Sequence, residues 1–321
     1  MSEQGKPTGA IRSVAALDLT SLRSPEDLSH ITEIRAVGMV LVPESLVPAL
    51  TRIPMHSIAG VVPVPDGARV RVHTGALVVG GDALAAPGTE HDVLAVTGAL
   101  LITSPVREVR YRQIAVTGVV TAPEGSEAAL LAGLTHVTGS VRYYRYVEGH
   151  RFRVMQGETK LSGEALANPG PDAGDALIVA GRLIVTSPVP RLGWSQVSVL
   201  GQMIAPRDSE LVLSAVETIG QVVWYTGTPR VFSGQDRFAP GFFELLDEPT
   251  TLVLAGDFTI EPGTSPELLR RKLASIALSG TLRAPRELLP VVQLLAADKD
   301  GRILELNEPD PGPGPAGTDA P

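Results

Sequence analysis

The side chains that most often carry catalysis are scattered through this sequence. The six histidines never come within metal-ligand spacing of one another, and neither HxH nor HExxH occurs; they are His30, His56, His73, His91, His136 and His150. His91 adjoins Asp92, but such a pair is too common to indicate a site. There is no cysteine and no GxSxG or GxxxxGK[ST] motif. We therefore expect no enzyme activity, no bound metal and no cofactor.

Arginines and aromatic residues are concentrated between Arg107 and Arg153, a stretch that contains seven arginines and four glutamates. Arg planes and aromatic rings suit stacking on nucleotides or anchoring a protein, and the carboxylates favour a protein. The alternative is that these aromatics only cover the edge of the fold. The possible partner-binding residues are Arg110, Tyr111, Arg142, Tyr143, Tyr144, Arg145 and Tyr146, with Trp194, Trp224 and Tyr225 at matching positions further on.

Composition limits the class of protein. The 321 residues are 44% apolar and only 4% aromatic, with 33 glycines and 27 prolines, which suits many short strands broken by turns. The net charge of −8 disfavours nucleic acid and anionic membranes as partners. The first residues, MSEQGKPTGAIRS, lack the apolar core of a secretory signal, and no apolar run is long enough for a transmembrane segment. We expect a soluble, cytoplasmic protein.

The elements that must position these residues belong to an internal repeat. The stretch VLAVTGALLITSP (93–105) returns 83 residues later as ALIVAGRLIVTSP (176–188). One glycine marks each apolar run, and we call this series the glycine column. The number of residues between successive glycines follows the order long, medium, medium, short, and this order then repeats. The column comprises Gly38, Gly60, Gly75, Gly98, Gly118, Gly139, Gly157, Gly181, Gly201, Gly220, Gly234, Gly256, Gly280 and Gly301, and extrapolation adds Asp18.

Alternation predicts that each glycine points inward. Leu177, Val179, Gly181 and Leu183 share one face of a predicted strand, and Arg182 lies on the other. A glycine inside a strand costs roughly 0.5–1 kcal/mol relative to alanine. Fourteen glycines in register therefore indicate a structural need, such as a bend or a close backbone approach.

We predict a mainly β fold: a single parallel β-solenoid, either a right-handed β-helix or like a leucine-rich repeat. It would have about 15 rungs in a four-rung super-repeat of about 80 residues. The repeat domain spans 11–307, in blocks of about 15–92, 93–175, 176–250 and 251–307. Residues 1–10 and the Pro/Gly-rich tail 308–321 are predicted to be disordered. Short helices are predicted in some turns, at 43–53, 124–134, 208–216, 265–274 and 285–296.

Runs such as VTGALLIT, VAGRLIVTSP, VTGVVTAP and LSGTLRAP resemble the glycine-punctuated strands of bactofilins. The resemblance covers roughly residues 15–306 and is one of style rather than of a specific motif. It implies a right-handed β-helix between disordered tails, as in a bacterial cytoskeletal protein that polymerises end to end. The rungs here are longer and uneven, and several carry helices, which opposes the regular stacking that polymerisation requires.

Three functions remain open. The first is a non-catalytic structural scaffold that self-associates through a terminal rung, the one around Gly301. The second is a monomeric recognition scaffold that binds a protein through the Arg/aromatic residues. The third is a carbohydrate-active β-helix enzyme, for which no repeated carboxylate pair is found.

Overall fold

The computed structural model describes residues 9–149, 151–168 and 175–308. Strands predominate there, and every strand pair is parallel, as predicted. The strands form four separate sheets, however, and not the single fifteen-rung ladder expected from the repeat. Residues 1–8 and 309–321, predicted to be disordered, lie outside the described residues, but Gly9 and Ala10 belong to the first strand.

The chain divides into two compact units, residues 1–148 and 149–321. The first unit contains two sheets. Its first sheet has the order β1-β2-β3, with β1 Gly9–Asp18, β2 Ile31–Pro43 and β3 Met55–Val64. Its second sheet has the order β4-β5-β6-β7, with β4 Arg69–Val79, β5 Asp92–Ile102, β6 Gln113–Pro123 and β7 Leu134–Tyr144.

The second unit also contains two sheets. In the third sheet of the chain, two of the rungs are interrupted near their glycine. Each of these two rungs therefore supplies two short strands instead of one long strand. Its strands are β8 Phe152–Leu161, β9 Ala176–Val185, β10 Gln196–Val199, β11 Met203–Pro206, β12 Glu217–Thr218 and β13 Val222–Tyr225. The fourth sheet has the order β14-β15-β16-β17, with β14 Pro229–Phe238, β15 Thr250–Ile260, β16 Leu273–Ala284 and β17 Asp298–Glu305.

Short helices lie in the connections between consecutive strands, including all five predicted stretches. Ser265 caps one of them: its hydroxyl accepts a hydrogen bond from the Leu268 N–H, and Pro266 occupies the first turn. The α-helices are α1 Pro25–Leu28, α2 Val47–Leu50, α3 Glu127–Gly133, α4 Gly163–Ala167, α5 Glu210–Leu213, α6 Pro240–Glu244, α7 Pro266–Lys272 and α8 Leu289–Leu295, with 3-10 turns at Glu44–Leu46, Gly81–Ala85, Arg207–Ser209 and Arg286–Leu288.

Inner strands such as β5 read as continuous apolar runs because they are buried on both faces. In β5, Leu94 and Val96 face a core that includes Leu130 of α3. The alternate residues of the same strand, Val93 and Ala95, pack with Met39 and Leu41 of the first sheet. A similar cluster of buried apolar residues joins the third and fourth sheets and includes Ile184 and Val253.

The register confirms most of the glycine column. Within each sheet the glycines pair directly: Gly75, Gly98, Gly118 and Gly139 in the second sheet, and Gly234, Gly256, Gly280 and Gly301 in the fourth. Gly157 pairs with Gly181 in the third sheet, where Gly220 donates its N–H to the Gly201 carbonyl. The short spacings of the sequence mark the places where the chain leaves one sheet and begins the next. The second, third and fourth sheets therefore begin one rung before the predicted blocks.

The first sheet departs from the predicted column. Gly38 lies opposite Ala15, because Val14 pairs with Val37 and Ala16 with Met39. Gly60 pairs with Met39, one residue out of register, and Asp18 pairs with Leu41. Asp18 instead stabilises the turn that follows it, since its carboxylate accepts hydrogen bonds from the N–H and hydroxyl of Thr20.

Two constraints require glycine in the column. Gly118 has a φ of +134°, in the left-handed region that L side chains rarely adopt. A Cβ atom at Gly118 would lie 1.8 Å from the carbonyl oxygen of Gly98 in the preceding rung. The strands thus bend at the glycine and stack their backbones directly there. Gly98, which was predicted to point inward, is exposed, because at the bend its Cβ direction points at Gly75 of the neighbouring rung.

Candidate functional site

The predicted partner-binding residues fall in both units. Arg110 to Tyr146 belong to the first unit, whereas Trp194, Trp224 and Tyr225 belong to the second. The second and third sheets are copies of one arrangement, so each unit can be described against the other. Val106 donates its N–H to the buried Ser126 hydroxyl at 3.0 Å in one copy, and Val189 donates to the Ser209 hydroxyl at 2.7 Å in the other.

Tyr143 and Trp224 occupy the same place in the two copies. Each follows the last glycine of its sheet by four residues, Gly139 and Gly220 respectively. Each is half-buried and packs on the hydrophobic core of its own sheet. They cover the end of a core that has no further rung beyond it among the described strands.

The side chains of Tyr144 and Tyr225 have structural roles inside the fold. Both rings are buried, and each hydroxyl donates to a backbone carbonyl two rungs earlier, Tyr144 to Ile102 at 2.8 Å and Tyr225 to Val185 at 2.7 Å. Burial raises the pKa of both hydroxyls, that of Tyr225 to about 12. These two side chains therefore anchor the last rung and are not available to a partner.

Tyr111 and Trp194 form a third matching pair, seven residues before the glycine of the third rung. Both pack on their own cores, Tyr111 in a half-buried position and Trp194 in a buried one. The guanidinium of Arg153 lies 5.4 Å from the centre of the Trp194 ring, a cation–π contact. The aromatic residues that recur in the sequence thus cover the hydrophobic core of each sheet in the same way.

A buried aspartate begins the second rung of each copy, and sequence reasoning missed it. Asp92 is ion-paired with Arg69 and Arg71, each at 2.8 Å. Hydrogen bonding from Arg69, supported by Arg71, lowers the pKa of Asp92. Asp175 accepts from the Arg151 N–H at 3.2 Å and lies 3.7 Å from the Arg153 guanidinium. The available signal was the recurrence of Arg-x-Arg followed by an aspartate: Asp92 lies 23 residues after Arg69, and Asp175 lies 24 residues after Arg151.

Two of the predicted residues of the first unit lie at or near a cleft of about 450 Å³. Tyr146 lines this cleft, and Arg110 lies nearby, paired with the lining residue Glu108 at 3.0 Å. The wall is polar and carries more carboxylates than cations; it is formed by Gly81, Asp82, Ala85, Ser104, Pro105, Arg107, Glu108, Tyr146 and Glu148. Such a wall suits hydrogen bonding to a polar or cationic group. Arg142 is half-buried, and Arg145 is exposed.

Within the described part of the chain, no group of three or more His, Asp or Glu side chains could hold a metal ion. The same residues include no helix that is long and apolar enough to cross a membrane. Comparison of the chain with family models, with curated proteins and with solved structures gives no match.

Proposed function

We propose that this protein is a non-catalytic structural scaffold that self-associates through the outer strands of its parallel sheets. One observation carries the proposal: each sheet is a short stack of rungs that ends in strands paired on one side only among the described residues, as at β4 and β7. An outer strand presents backbone N–H and C=O groups that pair readily with another strand. The absence of cysteine is compatible with a reducing compartment such as the cytoplasm.

The rung around Gly301 is a weaker candidate for this pairing than the sequence suggested. β17 is an outer strand, but Lys299 and Glu305 occupy positions that in the neighbouring β16 are held by Leu278 and Ala284, both part of the core. Charges at inward positions discourage a further strand from adding to an edge. The Glu308 carboxylate also accepts a hydrogen bond from the Glu305 N–H at 3.2 Å, which partly covers the strand end.

Light scattering coupled to size-exclusion chromatography, over a range of protein concentrations, tests the proposal. A mass that rises with concentration above 33.7 kDa, with oligomers visible by negative-stain microscopy, is the expected result. Deletion of residues 299–321 then identifies the route: loss of assembly assigns it to β17, and unchanged assembly assigns it to another outer strand. A constant mass at every concentration would overturn self-association.

The second candidate function is a monomeric recognition scaffold, favoured by the cleft beside Tyr146. Tyr146→Ala and Arg107→Ala change the cleft wall without touching the buried Tyr144. Under this alternative the variants stay folded but no longer retain a partner that the wild-type protein binds. Retention equal to that of wild type would count against the cleft.

A further inference from the structure

The glycine column distinguishes the first strand of a sheet from every later one. In the second, third and fourth sheets, a Cβ on each later glycine would lie within 1.8–2.6 Å of the preceding glycine's carbonyl oxygen. The first glycines, Gly75, Gly157 and Gly234, have nothing within 4 Å of the same point. A first glycine is therefore free to lie against the carbonyl of a glycine from another strand. The last glycine of a sheet has a carbonyl on which no further glycine of that sheet rests.

The two outer strands of the second sheet would fit each other if the first glycine of the sheet lay against the carbonyl of the last. If Gly75 is placed after Gly139, Thr74 continues the in-register row formed by Thr97, Thr117 and Thr138. Leu77 likewise continues the row that ends at Val141. Aliphatic and Thr–Thr cross-strand pairs of this kind stabilise a sheet. The same register that builds the sheet therefore extends from its last strand to its first.

The charges and the exposed side chains of β4 and β7 are also compatible with pairing between two copies of this chain. Neither β4 nor β7 contains Asp or Glu, and the glycine register places no two positively charged Arg side chains opposite each other. Three valines on these strands are well exposed for their type: Val72 at 42%, Val78 at 37% and Val141 at 37%. Exposed apolar residues on an outer strand are what natural proteins usually avoid, unless the strand is covered by a partner.

The other sheets lack one or more of these features. In the first sheet Gly60 is out of register with Gly38. In the third sheet the last rung is broken into the short strands β12 and β13. In the fourth sheet β17 carries Lys299 and Glu305 at core-facing positions.

We propose that β7 of one copy pairs in parallel with β4 of a second copy, with Gly75 of the second copy resting on the carbonyl of Gly139 of the first. This inference rests on the proposed function and names the surfaces that carry it. The contact joins two different surfaces, so each added copy leaves one β4 and one β7 open. Assembly is then polar and open-ended, and not a closed dimer.

Gly75→Ala tests the contact directly. Inside its own chain the added methyl group meets open space, whereas in the proposed contact it would strike the Gly139 carbonyl of the neighbouring copy. Gly157→Ala and Gly234→Ala are matched controls, because these first glycines also have positive φ, +75° and +85° against +102° for Gly75, and open space. We expect Gly75→Ala to remain at 33.7 kDa at concentrations where the wild type and both controls assemble. Thermal unfolding of all three variants verifies that they are folded.

A second pair of variants keeps the test valid if Gly75→Ala does not fold. Val141→Lys places a charge on the outer strand β7, and Leu131→Lys places one on the exposed surface of α3 beside it. The first should prevent assembly and the second should leave it unchanged. Assembly of Gly75→Ala and Val141→Lys equal to wild type would overturn the proposed contact while leaving self-association standing. A wild-type protein that stays monomeric would overturn both.

Discussion

The hydroxyl of Tyr144 donates a 2.8 Å hydrogen bond to the carbonyl oxygen of Ile102, 42 residues earlier in the chain and two rungs away in the second sheet. Tyr225 makes the same contact with Val185 in the third sheet at 2.7 Å. The fourth sheet has Leu306 at the corresponding position, five residues after Gly301. The tyrosine anchor thus belongs to the duplicated pair of sheets, and it ties the last rung to the second.

Tyr144→Phe and Tyr225→Phe should each lower the free energy of unfolding by about 0.5–1.5 kcal/mol, since each removes one buried hydrogen bond and keeps the ring. Urea unfolding followed by circular dichroism measures the effect. Tyr146→Phe is the matched control, because its side chain lies at the cleft rather than in the core. A change in Tyr144→Phe no larger than in the control would contradict the anchoring role.

The same tyrosines predict a loss of stability in alkali. Burial raises the pKa of Tyr225 from 10.0 to about 12 in the folded protein. The unfolded chain therefore loses its proton first as pH rises, so the stabilising contribution is complete below pH 10 and is lost as pH rises through about 12. The free energy of unfolding of the wild type should fall more steeply over this interval than that of Tyr225→Phe. Parallel curves for the two proteins would refute this assignment.

Gly118→Ala should be severely destabilising. The new methyl group would meet the Gly98 carbonyl oxygen at 1.8 Å, and the residue would keep a φ of +134°. We expect a loss of about 3 kcal/mol or more, since strained backbone alone costs of order 1–3 kcal/mol. Gly75→Ala is the nearest measure of the backbone strain alone, because its methyl group meets nothing within 4 Å at a φ of +102°. Equal losses for the two variants, measured by thermal or urea unfolding, would show that the stacking of glycines contributes nothing.

Asp92→Asn should remove an acid-sensitive part of the protein's stability. The Arg69 and Arg71 ion pairs lower the pKa of Asp92, so the unfolded state takes up the proton first as pH falls. The stabilisation is present above the ordinary pKa of 3.8 and is lost as pH falls through the lowered value. Wild-type melting temperature should therefore decline more than that of Asp92→Asn in this acid range, and at neutral pH the variant should melt lower. Equal melting temperatures at pH 7 would argue against the pair.

Replacing the charges of β17 should open a new association surface. Lys299→Leu with Glu305→Ile restores apolar residues at the positions that Leu278 and Ala284 occupy in β16. In a Gly75→Ala background, this double replacement should produce a mass that rises with concentration, because the inward charges no longer oppose strand addition. Light scattering measures it. A mass that stays constant would show that these charges do not protect the edge.

Much of the secondary structure and register was readable from the sequence. The alternation around Gly181 predicted the inward position of Leu177, Val179 and Leu183, and the spacing from Gly98 to Gly118 predicted their direct pairing. In the second, third and fourth sheets these features are local, because each later strand needs its own glycine where it lies against the strand before it. The sequence predicts Tyr144 as a possible binding residue and does not show its anchoring role, because its partner Ile102 lies 42 residues away, where no local pattern connects them.

The sequence by itself determined that the chain forms parallel strands bent at glycine, with apolar residues on alternating positions and short helices between them. Only the tertiary structure showed that each short glycine spacing is the place where one sheet stops and the next begins. The reason is that the break depends on what the second face of a strand meets: Val93 and Ala95 are buried against Met39 of another sheet. That pairing of faces joins distant parts of the chain. It is governed by the fit between whole sheets, which the period of one strand does not encode.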